Sequence, residues 1–126
     1  MRILREIGAK DLTEFVRDPL IHGAAERYLQ LSIECLIDIG NHVIADSGYR
    51  RPENYADVFA VLAESKAIDD KLYQDLQGIA GFRNLLVHDY LRVDLTQVYR
   101  IMQDKLPTFE RLAEVYLKLL ESTGSG

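Results

Sequence analysis

The segment from Leu20 to Asp46 constrains the fold more than any other part of this chain. It contains no proline, and its apolar residues recur at a spacing of three to four, the period of an α-helix. Tyr28, Leu29, Ser32, Leu36, Ile39, Val43 and Ile44 fall on neighbouring turns, while Leu31, Ile33, Cys35 and Ile37 fill much of the remaining circumference. A helix that is apolar on nearly all sides is buried on more than one side. The chain has 126 residues, which suits one core and leaves little room for a second. A second copy of the chain is then a natural source of the extra cover.

The remaining segments also read as helices. Alternation of period two never runs for long, so strands are not expected. A short helix is expected over residues 9 to 17, ending before Pro19. Ser47-Gly48 closes the long helix, and Tyr49-Arg50-Arg51-Pro52 reads as a loop. Asn54 is placed to cap a helix over about residues 55 to 65. Asp69 or Asp70 is placed to open another that runs through Leu72, Leu76, Ile79, Phe82 and Leu86. Asp94 reads as the N-cap of a helix to about Lys105, with Leu95, Val98, Ile101 and Met102 inward. Pro107 suits the first turn of a last helix, where its missing N–H matters little. The expectation is an all-α chain, an up-and-down bundle of about five helices. Residues 1–122 form its single domain and 123–126 a flexible tail.

Charge and cysteine content narrow the function. The net charge of −5 argues against broad electrostatic binding of nucleic acid, but leaves room for a small local phosphate site. No apolar run approaches the roughly 20 residues that a bilayer span needs, and the charged start MRILREIGAKDL lacks a secretory signal. A cytoplasmic protein with no membrane partner is expected. Cys35 is the only cysteine, so neither an intrachain disulfide nor a cysteine-based metal cluster can form. Its apolar neighbours Ile33, Leu36 and Ile37 lead us to expect a buried thiol.

The densest chemistry lies in Gly81-Phe82-Arg83-Asn84-Leu85-Leu86-Val87-His88-Asp89-Tyr90. An arginine offers a planar, permanently charged fork that matches a phosphate. A histidine can gain or lose a proton near neutral pH. Together they meet the needs of RNA cleavage, in which one group moves a proton at the 2′-hydroxyl or leaving oxygen and another stabilises charge on the phosphate. Asn84 adds a possible donor. On a regular helix five residues turn through about 500°, which sets Arg83 and His88 roughly 140° apart. They converge if the helix breaks near His88, or if two copies bring their motifs together across a symmetric interface. The spacing alone also suits a surface arginine paired with Asp89 and a histidine capping a helix C-terminus.

The motif R-N-L-L-V-H-D-Y resembles the R-x4-H-x-Y signature of HepT-like toxins, a branch of the HEPN superfamily. Arg27-Tyr28-Leu29, Ile33-Glu34-Cys35 and Ile37-Asp38-Ile39-Gly40-Asn41-His42 resemble the family's long helix. Arg51-Pro52 and Tyr55 to Leu62 resemble its loop and next helix, and Asp94 to Tyr99 the continuation of the signature. The likeness spans about residues 25 to 110. It implies a homodimer with both copies of Arg83 and His88 in one cleft, acting as a metal-independent endoribonuclease without cofactors. It further implies the toxin half of a type VII HEPN/MNT toxin–antitoxin system. The partner would be a minimal nucleotidyltransferase antitoxin of the MntA type, which transfers AMP to the motif tyrosine, here Tyr90. AMP two residues from His88 would add charge and bulk where the RNA phosphate must lie. tRNA is the substrate class that the resemblance suggests.

Other residues carry weaker expectations. Asn84, Asp38 and Asn41 are read as supporting residues, the last two orienting Arg83 or the histidine. His22 is expected at the surface or as a cap. His42 is placed to hydrogen-bond Asp38, a pair too small to hold a metal. Tyr28, Tyr73, Tyr99 and Tyr116 are expected in the core or an interface. Arg50 and Arg51 are expected to be solvated, with RNA or antitoxin contact as the alternative. A non-catalytic helical adaptor, or a nucleotide-binding subunit of a nucleotidyltransferase, is the rival function; neither requires Arg83, Asn84, His88 and Tyr90 together.

Overall fold

Seven α-helices and one 3-10 turn make up the computed structural model over the described residues, 2 to 124, with no strand among them. The side chains of Tyr90 and of residues 122 to 124 fall outside that description. The helices are α1 (Arg2–Gly8), α2 (Leu12–Arg17), α3 (Pro19–Ser47), α4 (Tyr55–Glu64), α5 (Asp70–Asp75), α6 (Ile79–His88) and α7 (Leu95–Gly124). The turn, Tyr90–Arg92, follows α6. Helix α7 runs through half of the segment expected as a tail, and residues 125 and 126 lie outside the described ones.

The long helices α3 and α7 pack against each other and form the centre; α4 and α6 lie on α3, and α1 and α2 lie on both. Caps fix most of the starts. Asp11, Asp18, Asn54 and Asp69 each accept a backbone N–H from the first turn of α2, α3, α4 and α5. Pro19 takes the first position of α3, where it forfeits no bond. Gly48, with φ of 72°, ends α3 in the left-handed conformation that glycine tolerates best.

Three expected boundaries need correction. The expected helix from Asp69 to Leu86 is two helices, because the chain passes through a left-handed Gly78 at φ 84° between α5 and α6. The expected pair of helices around Pro107 is one continuous helix, with the proline inside it. Val98, Met102, Leu106, Phe109, Leu112 and Tyr116 form an unbroken buried stripe across that point. Their packing outweighs the roughly 3 kcal/mol that an interior proline costs. The first helix, α1, is additional: Leu4 and Ile7 are buried while Arg2, Arg5 and Glu6 face solvent.

The core joins Phe15 of α2, Leu29, Ile33, Ile37 and Ile44 of α3, Val58 and Leu62 of α4, and the α7 stripe. Gly40 is buried where α3 meets α4 and α7. A Cβ there would lie 2.7 Å from both Tyr116 Oη and Val58 Cγ1, so only glycine allows this approach.

Several single-residue expectations resolve differently. Cys35 is exposed: Ile33, Leu36 and Ile37 turn inward on α3, and the thiol falls on the opposite side with Tyr28 and Leu31. His22 is neither capping nor fully at the surface; it packs edge-on to Phe15, and its Nδ1 lies 3.7 Å from Glu26. His42 pairs forward with Asp46 at 3.2 Å rather than back with Asp38. Arg50 clasps both Asp57 and Glu64, which ties the loop to α4, whereas Arg51 is exposed. Tyr116 is in the core and Tyr73 and Tyr99 pack against it, but Tyr28 is exposed.

Candidate active site

One side of α3 is polar although most of its circumference is not. Arg27, Gln30, Glu34, Asp38 and Asn41 follow at spacings of three and four and so form one stripe. Helix α6 places Arg83 over this stripe. Its Nε donates to Glu34 Oε1 at 3.1 Å, and Nη2 stands 3.0 Å from the same oxygen. Nη1 donates to Asn84 Oδ1 at 3.2 Å. The guanidinium carbon sits 4.9 Å from the centroid of the Tyr55 ring, within cation–π range. Only 14% of the Arg83 side chain is exposed.

Glu34 is therefore the anchor of the site. Gln30 Nε2 also donates to its Oε1, at 3.0 Å. That bond, with the hydrogen bond and charge of Arg83 and the charge of Arg27, holds the Glu34 carboxyl below its ordinary range despite partial desolvation. The carboxylate is charged at neutral pH and holds the guanidinium in one orientation. Of five guanidinium N–H groups, two are engaged in hydrogen bonds, which leaves at least one on each terminal nitrogen for an incoming oxyanion.

Glu34, Ile37, Asp38, Tyr55 and Arg83 line a cleft of about 120 Å³. A second hollow of about 190 Å³, lined by Gly23, Glu26, Arg27, Gln30 and Leu86, lies one to two turns earlier along α3. Of the residues singled out from sequence, Arg83, Asn84 and Asp38 meet here. Asn41 is exposed further along the stripe and does not line the cleft. Neither Glu34 nor Tyr55 was expected at the site. The signal for Glu34 in the sequence was the polar stripe interrupting an otherwise apolar helix; for Tyr55 it was only an aromatic next to the Asn54 cap.

His88 is the last residue of α6, and it is exposed. Its side chain makes no hydrogen bond or ion pair with another described residue. Helix α6 is continuous from Arg83 to His88, so within one copy the two side chains leave the helix in different directions. Val87 and Leu91 beside it are exposed, Leu91 almost wholly. Tyr90 opens the 3-10 turn two residues on, and its side chain lies outside the described residues. Among the described residues no group of three or more His, Cys, Asp or Glu could hold a metal ion. No helix there is long and apolar enough to cross a membrane.

A held arginine fork and an exposed imidazole thus stand five residues apart on one helix of an all-helical chain. The pattern of the family described as ribonuclease HepT-like matches residues 1–116. The mRNA nuclease HepT of Shewanella oneidensis is 31% identical over 105 residues, which cover 83% of this chain and 79% of that protein. The tRNA nuclease HepT of Aphanizomenon flos-aquae is 29% identical over 99 residues, 76% of this chain and 67% of that protein. The tri-AMPylated HEPN toxin of Shewanella oneidensis, solved in complex with an MNT antitoxin, superposes with a TM-score of 0.80. That match has 30% identity and covers 90% of this chain and 87% of the other. The chain belongs to the ribonuclease HepT-like family.

Proposed function

We propose that this chain is the toxin of a HEPN/MNT toxin–antitoxin pair, cleaving RNA with Arg83 and His88 as its catalytic residues and no metal ion. The observation that carries this reading is the held guanidinium. Glu34, Asn84 and Tyr55 fix Arg83 while leaving N–H groups on both terminal nitrogens free. Such a fork suits the non-bridging oxygens of a phosphodiester, whose charge grows in the transition state. His88 moves the proton at the 2′-hydroxyl or at the leaving oxygen. Asp38 lines the cleft beside Arg83 as a supporting residue.

The active species in this reading is a homodimer. Along continuous α6 the pair stands roughly 140° apart, so a copy does not aim both groups at one phosphate by itself. Two features favour a symmetric partner. Tyr28, Leu31 and Cys35 form an exposed, largely apolar stripe on α3, and Val87 and Leu91 expose apolar surface beside His88. A two-fold pairing that covers these surfaces would bring Arg83 of one copy toward His88 of the other.

Regulation follows from position. A nucleotidyltransferase antitoxin of the MntA type places AMP on Tyr90, and the added phosphodiester repels the RNA backbone two residues from His88. The solved relative is tri-AMPylated and bound to its MNT antitoxin, which supports this reading. We take tRNA as the substrate class. The named relatives divide between mRNA and tRNA, and sequencing RNA ends after induction decides between them.

The test is cleavage by purified protein in excess EDTA. Wild type should cut, and His88→Ala should be inactive with its helical content and oligomeric state unchanged. Cleavage by a folded H88A protein, or activity that needs added Mg2+ or Zn2+, would contradict the assignment.

A further inference from the structure

Beside the Arg83 cleft lies a larger hollow of about 510 Å³, lined by Asn54, Tyr55, Ala56, Ala80, Gly81 and Asn84. That size is within the range of small-molecule sites. Tyr55 belongs to both spaces and so forms the wall between them. Arg83 lies over its ring in the cleft, yet the residue remains exposed. Ala56, Ala80 and Gly81 are small residues on α4 and α6. A Cβ on Gly81 would meet nothing within 4 Å, so the space above it is open. Two amides complete the lining, and each has its oxygen engaged. Asn54 Oδ1 accepts the Asp57 N–H at the start of α4, and Asn84 Oδ1 accepts from Arg83. Neither amide nitrogen donates to another described residue. Both side chains therefore offer NH2 donors here and have only limited remaining capacity to accept.

From the Tyr55 wall between the Arg83 cleft and a hollow with two free amide donors, we propose that this hollow holds an RNA base next to the cleaved phosphate and selects bases bearing a carbonyl oxygen. The proposal rests on the reading of Arg83 as the phosphate-binding residue. A nucleotide whose phosphate meets the Arg83 fork can lay its base against Tyr55. Aromatic stacking is tolerant of base identity, so selection falls to the amides. Paired donors favour the carbonyl edges of guanine, uracil and cytosine. Adenine is the one standard base without a carbonyl: its ring nitrogens accept singly, N1 and N7 each beside the exocyclic amine donor, so it meets one of the paired donors and not both. Gly81 keeps the floor low, and Asn54 has two roles, as helix cap and as reader.

The experiment is cleavage of an RNA pool with randomised sequence by the purified full-length protein, with both new ends sequenced. Wild type should disfavour adenine at one position flanking the cut by at least about tenfold. Gly81→Leu fills the hollow from the open side without touching Arg83 or His88, and should erase this bias while slowing cleavage at formerly preferred sites. Asn54→Asp keeps a good N-cap but replaces a donor by an acceptor, and should relax or reverse the discrimination against adenine. Thermal unfolding of both variants near the wild-type midpoint secures the comparison.

Absence of any flanking bias in wild type would overturn the proposal. So would an unchanged bias in both folded variants. Failure of the underlying reading looks different, because Arg83→Ala would then cleave as fast as wild type whatever the base preference. A variant bias that shifts while R83A stays inactive supports the proposal and the reading together.

Discussion

Glu34 offers the sharpest perturbation, because its carboxylate does two things that substitution can separate. Oε1 fixes Arg83 by accepting from Nε at 3.1 Å with Nη2 at 3.0 Å, and its charge offsets part of the guanidinium's. Glu34→Ala removes both effects. The guanidinium keeps Asn84 and Tyr55 but loses its strongest restraint, and misplacement by about 1 Å lowers a rate by around a hundredfold. We expect kcat to fall roughly 10- to 100-fold. Stability should change by less than about 1 kcal/mol, because Glu34 is 29% exposed and solvent screens the pair.

Glu34→Gln keeps an oxygen acceptor and removes only the charge. A carboxylate about 6 Å from a bound phosphate repels it by about 0.7 kcal/mol in near-aqueous surroundings. Its removal should therefore lower KM about threefold at low salt, with kcat within about threefold of wild type. Steady-state cleavage of a labelled RNA, with kcat and KM resolved, reads both effects. Wild-type kcat in E34A, or equal damage in E34A and E34Q, would refute the positioning argument.

Further outcomes follow from other parts of the molecule. Tyr116 Oη is buried with no hydrogen-bond partner among the described residues, and burial pushes its pKa up; Tyr116→Phe should raise stability by about 1 kcal/mol in chemical denaturation. Gly40→Ala should lower it by about 1–3 kcal/mol in the same assay, because the new methyl meets Tyr116 and Val58 at 2.7 Å. Asp57 is held at about 2, below its ordinary 3.8, by hydrogen bonds from Arg50 and the Glu53 N–H. A depressed carboxylate stabilises above its unfolded pKa and loses that contribution as pH falls, so thermal stability should drop between about pH 4 and 2. Asp57→Asn should flatten that decline, which a melting series across the window would reveal. Tyr90→Phe should receive no AMP from the partner nucleotidyltransferase with ATP and Mg2+, and should retain cleavage under conditions that silence wild type; intact-mass spectrometry and the cleavage assay check both.

The fold class was legible because the helical period dominates the chain and the caps at Asn54, Asp69 and Asp94 are local chemistry. The misread boundaries have tertiary causes. Pro107 looks like a start from sequence, but the buried stripe on both sides of it belongs to one helix. The left-handed turn at Gly78 is invisible to periodicity, because Leu76 and Ile79 are both apolar and both buried. Cys35 shows the limit of reading neighbours: adjacent positions on a helix point about 100° apart, so apolar neighbours do not make a residue buried.

At the site, Arg83, Asn84, His88 and Tyr90 were legible as a dense local motif. Glu34 is 49 residues from Arg83 along the chain, so its pairing required the crossing of α3 and α6. Tyr55 enters through the start of α4, and no local pattern ties it to the motif. The sequence spacing left two routes to convergence. The continuity of α6 through His88 removes a break between the two residues and favours the route through a second copy.

Mixing Arg83→Ala with His88→Ala protein tests the central claim most directly. Each variant alone should be inactive. In a symmetric dimer that draws Arg83 from one copy and His88 from the other, a mixed dimer carries one intact unit. After subunit exchange of equal amounts, about half the dimers are mixed and each has one unit of two, so activity should return to about a quarter of wild type. Mixed dimers verified by native mass spectrometry that remain inactive would contradict the shared site.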